Sequence, residues 1–281
     1  MSEYLRKPDW LKIRLGDDEA YAQTRRTLEK FHLNTICSSG KCPNQAECWS
    51  RGTATFMILG DVCTRSCRFC NTLTGKPLPP DPTEPQHVAE SIRQLGLKHA
   101  VLTSVDRDDL VDLGVGHWID VVNAIRALNS KTTLETLIPD FQGRRALLEQ
   151  FVQVKPEIVS HNLETVERLT PSVRSAAKYR TSLAVLKQLV ESGMRVKSGL
   201  MLGLGETQDE LFCAMDDLLE TGCSILTLGQ YLQPTRKHLM VQKYIHPDDF
   251  ANYKQIALAK GFKHVESGPL VRSSYFSENQ L

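Results

Sequence analysis

The stretch TATFMILGDVCTRSCRFC, residues 53–70, decides how the rest of the chain is read. Its first seven residues are apolar or β-branched throughout, as in a strand buried on both faces. The loop that leaves this strand carries Cys63, Cys67 and Cys70 in the spacing C-x3-C-x2-C. A structural zinc site closes with four protein ligands, whereas an iron–sulfur cluster held by three cysteines keeps one iron open. Three thiols on one tight loop therefore point to a cluster with an open position. A zinc-binding loop that borrows Cys48 or His87 as its fourth ligand is the alternative.

A second triplet lies upstream, where CSSGKCPNQAEC places Cys37, Cys42 and Cys48 as C-x4-C-x5-C. Two triplets predict two clusters, each with a fourth ligand from elsewhere. The other two cysteines, Cys213 and Cys223, fall in or beside a helical run and read as small buried apolar residues. Clustered cysteines behind an N-terminus without a secretory signal read as metal ligands rather than disulfides, because the cytosol keeps thiols reduced. The expected compartment is the cytoplasm.

Composition narrows the class. Of 281 residues, 41% are hydrophobic and 24% charged, which describes an ordinary globular protein. Lys and Arg total 34 against 33 Asp and Glu, a net charge of +1 that favours neither nucleic acid nor an anionic membrane surface. No apolar run approaches the length of a membrane span.

Beyond residue 53, strand-like runs alternate with helical ones: HAVLTSV, HWIDVVNAIRALN, TTLETLI, RRALLEQFVQV, PEIVSHNL, YRTSLAVLKQLVESG, VKSGLMLGL and onward. About six strand–helix units predict an α/β fold with a parallel sheet and helices outside, either a partial (β/α)6 TIM-type barrel or an open sheet. In both, ligand chemistry gathers at the C-terminal ends of the strands. Thr207 and Glu210 form a capping box, and Gly193 and Gly222 follow helical runs. Three segments are expected: an N-terminal extension (1–52) with the first triplet, the partial barrel (53–260), and a C-terminal tail (261–281).

The second triplet, with Phe69 before its last cysteine, resembles the signature of the radical S-adenosylmethionine superfamily. Together with CSSGKCPNQAECW, the segment TSVDRDDL and RSSY near the C-terminus, it resembles the lipoyl synthase family over nearly the whole chain, from KPDWLKIRL to GPLVRSSY. The resemblance implies the partial barrel, two 4Fe–4S clusters and S-adenosylmethionine. It also implies a deoxyadenosyl radical that removes hydrogen from carbons 6 and 8 of a protein-bound octanoyl chain, with sulfur drawn from the auxiliary cluster. The radical arises on the cofactor, so no catalytic side chain is expected. Cys63, Cys67 and Cys70 would hold the radical-generating cluster. Cys37, Cys42 and Cys48 would hold the auxiliary one with a serine of RSSY, either Ser273 or Ser274, of which Ser274 is preferred. An oxygen ligand suits a cluster that must give up sulfide, because it matches a soft site poorly.

The resemblance further implies that TSVDRDDL lines the S-adenosylmethionine site, with Ser104 or Asp106 meeting the methionine amine; Asn162 and Glu164, at a similar strand-end position, are candidates for ribose hydroxyls, and Arg180, opening a helix after the fourth strand, for bidentate pairing with the carboxylate. A helix-capping turn, satisfied loop polars and a surface arginine are the plain readings of the same residues. Glycines 199, 203 and 205 lack dinucleotide spacing but allow close approach of the backbone to a ligand. Two departures from the family pattern stand out: Leu113 replaces an expected glycine in Asp112–Val115, and Phe276 and Ser277 follow RSSY. Expected partners are an octanoylated lipoyl-carrier protein (the glycine cleavage H protein or an E2 lipoyl domain of a 2-oxoacid dehydrogenase), a flavodoxin or ferredoxin, and an iron–sulfur carrier. Another radical sulfur-inserting enzyme, or a non-enzymatic cysteine-rich module, are the rival readings.

Overall fold

The computed structural model describes residues 5–12, 19–51 and 54–280. Thr53, the expected boundary after residue 52, and residues 13–15 of KPDWLKIRL lie outside the described residues. The chain divides into two compact units. One comprises Ile13–Arg65 and Asn71–Ile158, the other Met1–Lys12, Ser66–Cys70 and Val159–Leu281. The cysteine loop contributes Cys63 to the first unit and Cys67 and Cys70 to the second.

The first unit runs α1 (Glu19–Lys30), β1 (Asn34–Thr35), α2 (Ile36–Ser39), α3 (Gln45–Ser50), β2 (Thr55–Ile58), β3 (Val62–Cys63), β4 (Leu73–Thr74), α4 (Glu84–Leu95), β5 (His99–Ser104), α5 (Val115–Leu128), β6 (Thr133–Leu137) and α6 (Arg145–Phe151). Its main sheet has the order β1-β2-β5-β6, with β1 antiparallel to β2 and the rest parallel. All four residues of β2 are buried, as the apolar run from residue 54 predicts. On α5, Trp118, Val121, Val122 and Ile125 make a buried stripe at helical spacing. Helix α4 stops at Gly96, whose φ of 62° lets its N–H turn back to the carbonyls of Ile92 and Arg93.

The exit of β2 is held by a buried carboxylate. Leu59 and Gly60 both take positive φ, 68° and 93°, and turn the chain toward the cysteines. Glu84 accepts the Leu59 N–H at 2.8 Å and faces His117 Nε2 at 2.6 Å. Beyond β5, Asp112 caps α5 by accepting the N–H groups of Gly114 and Gly116. Leu113, where a glycine was expected, adopts the left-handed conformation at φ 54° and is 3% exposed. Its buried side chain offsets a backbone cost of about 1–2 kcal/mol.

The second unit runs β7 (Ile158–Ser160), α7 (Thr170–Val173), α8 (Tyr179–Glu191), β8 (Val196–Leu202), α9 (Gln208–Glu220), β9 (Ile225–Gln230), α10 (Pro247–Lys260) and β10 (His264–Gly268). Its strands lie in the order β7-β8-β9-β10, all parallel. The capping box of Thr207 and Glu210 opens α9 with both hydrogen bonds formed, and Gly193 and Gly222 take φ 80° and 85° behind their helices. Strand β10 falls within residues 261–281, so the strand–helix alternation continues into the stretch expected to be tail. Cys213 corrects an expectation. It is exposed, because α9 buries Leu211, Ala214, Met215 and Leu218 and turns residue 213 outward. Cys223 is buried, as expected.

Replacing Glu84 with Ala removes the acceptor from a buried backbone N–H and from His117. The expected loss is about 1–3 kcal/mol, read as a lower urea midpoint with unchanged slope.

Candidate active site

In the first unit, Cys63 ends the short strand β3 and receives two backbone donors. The N–H groups of Arg65 and Asp106 lie 3.4 and 3.3 Å from its Sγ. The same sulfur lies 3.7 Å from the Asp106 carboxylate. Thr64 zips the cysteine loop to the segment after β5: its N–H and hydroxyl both reach the Asp106 carbonyl, and the hydroxyl accepts the Asp108 N–H at 3.1 Å.

Arg65 completes the junction. It is 8% exposed, with Nε and Nη2 forking onto Asp108 at 2.7 and 2.8 Å, Nη2 also donating to Asp140 at 2.8 Å, and Nη1 3.3 Å from Asp106. Burial opposes the guanidinium charge, but the hydrogen bonds to Asp108 and Asp140 and the Asp106 charge more than offset it. Arg65 in turn holds the Asp108 carboxyl below its usual range. Arg107 pairs with Asp109 and donates to the Leu59 carbonyl. The charges of DRDD are therefore engaged in building the loop. Ser104, at the end of β5, keeps a buried hydroxyl that meets no partner among the described residues.

In the second unit, residues 66–70 are stitched to segments far along the chain. The Ser66 N–H donates to Ser175 Oγ at 3.0 Å, the Arg68 N–H to the Val173 carbonyl at 2.9 Å, and the Leu239 N–H to the Arg68 carbonyl at 3.2 Å. Cys67 Sγ lies 4.0 Å from Ser175 Oγ. His238 Nε2 donates to the Cys70 carbonyl at 3.0 Å, while its Nδ1 faces Thr235 Oγ1 at 2.8 Å and so accepts. Phe69 packs against a buried cluster of Val173, Leu204, Tyr231 and Val241. The aromatic in the cysteine motif is thus the loop's apolar anchor.

The first triplet gathers within the first unit. Thr35 caps α2 by accepting the Ser38 N–H, the Cys42 N–H returns to the Cys37 carbonyl, and the Cys48 N–H bonds to Asn44. Asn71, just after Cys70, donates to the Ser39 carbonyl at 2.8 Å. Burial, then the charge of Cys42, pushes the Cys37 thiol up to about 11; burial, then Cys37 and Cys42, pushes Cys48 up to about 12. Three mutually repelling soft donors fit a group that brings positive charge, as an iron–sulfur cluster does. No cysteine among the six is in a disulfide. Among the described residues, no three His, Cys, Asp or Glu side chains surround a single-ion position. A cubane cluster instead takes each thiolate on a different iron.

Asn162 and Glu164 follow β7 and lie together. Asn162 Nδ2 donates to Ser273 Oγ at 2.6 Å, and its buried Oδ1 has no partner among the described residues. Glu164 has φ 69° and bridges to Leu200 of β8. Burial pushes its carboxyl up, against Arg174 and the Asn162 hydrogen bond. A Cβ on Gly199 would sit 2.6 Å from Thr227 Oγ1 and 3.0 Å from Asn162 Oδ1. That glycine opens a cradle beside an orphaned acceptor, which fits a ligand bearing hydroxyl groups. Glu206 accepts the N–H groups of Gly203 and Leu204 and is committed to its own loop. Arg180 is engaged at the surface: its side chain is 65% exposed and is forked onto Glu167, with Asp217 3.7 Å away. Arg65, Asp140, Ser175 and His238 carry no motif that would have marked them, since their partners are remote in sequence.

Arg65→Met should destabilise the apo chain by about 3–5 kcal/mol in urea unfolding, because Asp140 is left buried and uncompensated. Arg65→Lys should recover only part of this, since an ammonium cannot fork onto Asp108.

Comparison with known proteins gives this geometry a lineage. Residues 57–218, more than half of the chain, match the Radical SAM superfamily. The chain is 61% identical over the full length of both proteins to a lipoyl synthase of Parabacteroides distasonis, and 57% identical, again end to end, to that of Porphyromonas gingivalis. Streptococcus suis SuiB bound to S-adenosylmethionine shares the fold at a TM-score of 0.58 and 13% identity, over 79% of this chain and 54% of that one. The Radical SAM superfamily implies a 4Fe–4S cluster and S-adenosylmethionine, and the chain belongs to its lipoyl synthase family.

Proposed function

We propose that this chain inserts two sulfur atoms, at carbons 6 and 8, into an octanoyl group carried on a lysine of a lipoyl-carrier protein. The observation that carries the reading is the pair of cysteine triplets, all six thiols outside disulfides, in a chain that matches lipoyl synthases from end to end. The target C–H bonds are unactivated, and no tuned side-chain base could remove such a hydrogen. When bound, the cluster and S-adenosylmethionine supply a 5′-deoxyadenosyl radical that can.

The protein's own work is holding and positioning. Cys63, Cys67 and Cys70 hold the radical-generating cluster on the pinned loop. For S-adenosylmethionine, the unpartnered oxygen of Asn162 and the neighbouring Glu164 accept ribose hydroxyls, and Ser104 or Asp106 serves the methionine amine. Arg180 has no assigned part, because its guanidinium is engaged by Glu167 at the surface. Cys37, Cys42, Cys48 and Ser274 hold the auxiliary 4Fe–4S cluster, which is consumed as the sulfur source. The hydrogen bond between Ser273 and Asn162 supports Ser274 as the oxygen ligand. The substrate is an octanoylated glycine cleavage H protein or E2 lipoyl domain; a flavodoxin or ferredoxin supplies electrons, and an iron–sulfur carrier rebuilds the spent cluster. No helix among the described residues is long and apolar enough to cross a membrane, and we place the reaction in the cytoplasm.

Anaerobically reconstituted protein should carry roughly eight irons per chain, and Cys37→Ala or Cys63→Ala should each reduce this to roughly four. Cys37→Ala should still cleave S-adenosylmethionine to 5′-deoxyadenosine but add no sulfur, whereas Cys63→Ala should do neither. Mass spectrometry of an octanoyl-lysyl peptide should show two sulfurs gained. Stoichiometric zinc without iron, or sulfur delivered to a tRNA base or dethiobiotin instead, would refute the proposal.

A further inference from the structure

The second unit joins the ribose-binding candidate to the C-terminal tail through one hydrogen bond. Asn162 Nδ2 donates to Ser273 Oγ at 2.6 Å, across 111 residues of sequence. That bond, with the one Asn162 gives to Glu164, sets which way the amide points. With Nδ2 turned to Ser273, Oδ1 faces the space beside Gly199, where a Cβ would lie 3.0 Å from it. Asn162 is 8% exposed and its oxygen is unpaired among the described residues. An acceptor left buried is costly unless a donor arrives. The donor that fits this cradle is a hydroxyl.

Ser273 is itself placed by the docking of the tail. The Val271 carbonyl lies against the backbone of Gly229 on β9, so close that a Cβ there would come within 2.1 Å of it. The Val271 N–H returns to the Gly268 carbonyl at 3.1 Å, and the Tyr275 N–H to the Arg272 carbonyl at 2.9 Å. Only a glycine at 229 lets the tail come down in this way. The serine next in the chain is Ser274.

We propose that Ser273 is a positioning residue that couples S-adenosylmethionine binding to the docked tail. Its hydroxyl orients Asn162 for the ribose, so the cofactor binds tightly only when the tail bearing Ser274 is in place. Coupling is reciprocal: bound cofactor tightens the tail, and an undocked tail weakens the cofactor. The two serines of RSSY then have different tasks. The consequence is that a chain with a displaced tail is a poor binder of S-adenosylmethionine and does not cleave it idly. This inference rests on the assignment of Asn162 to the ribose.

Equilibrium dialysis of S-adenosylmethionine against reconstituted protein tests it. Ser273→Ala should bind about three- to tenfold more weakly, the loss of one hydrogen bond, with unchanged iron content. Ser273→Thr, which keeps the hydroxyl, should restore binding. In cluster-free protein, Ser273→Ala should also speed hydrogen exchange of the amides in 270–276. Wild-type affinity and exchange in Ser273→Ala would overturn the proposal. If Asn162→Ala weakens binding while Ser273→Ala does not, the coupling alone falls. If neither weakens it, the ribose assignment falls too.

Discussion

A loop that presents three thiols on eight residues has little room to satisfy its own backbone, and that constraint shapes everything around Cys63–Cys70. Within the loop, the Cys70 N–H reaches the Cys67 carbonyl and the Arg65 N–H reaches Cys63 Sγ. The remaining donors and acceptors must find partners elsewhere, since buried backbone groups left unpaired are costly. In the first unit the segment after β5 supplies them through Thr64 and Asp106. In the second unit Val173, Ser175, His238 and Leu239 do so. Metal ligands need such support, because a cluster's geometry is only as well defined as the loop that presents the ligands.

Charge provides the second layer. A lone buried guanidinium would be expensive, yet Arg65 faces three carboxylates and keeps its charge. That network ties the residue two places after Cys63 to the ends of β5 and β6. The cost of burial is met by fixed geometry: a forked pair with Asp108 leaves Arg65 little rotational freedom. Arg107, Asp108 and Asp109 of DRDD brace the turn beside the cysteine loop.

The two triplets differ in setting as well as in spacing. Cys63 has two backbone donors aimed at its sulfur, with the Asp106 carboxylate 3.7 Å from it. Cys37 is buried and Cys48 half-buried, and burial together with the neighbouring cysteines holds both thiols up, against hydrogen bonds from Thr55 and Trp49 to Cys37.

Much of this was legible in the chain. Apolar, β-branched runs and helical runs between them marked the parallel strands and their helices, Gly193 and Gly222 marked helix ends, and Thr207 with Glu210 marked the capping box, because each rests on contacts a few residues apart. The cysteine spacings pointed to a metal centre for the same reason, since they place three thiols on one short loop. Strand β10 was missed because HVESG is short and half polar, and its identity comes from pairing with β9. Arg65 on Asp140, His238 on the Cys70 carbonyl and Ser273 on Asn162 lie 75, 168 and 111 residues apart. By itself, then, the sequence determined the local elements and the kind of metal centre. Only the tertiary structure decided which polar groups serve that centre, because a side chain's hydrogen-bond partner is set by what folding brings beside it and not by its neighbours in the chain.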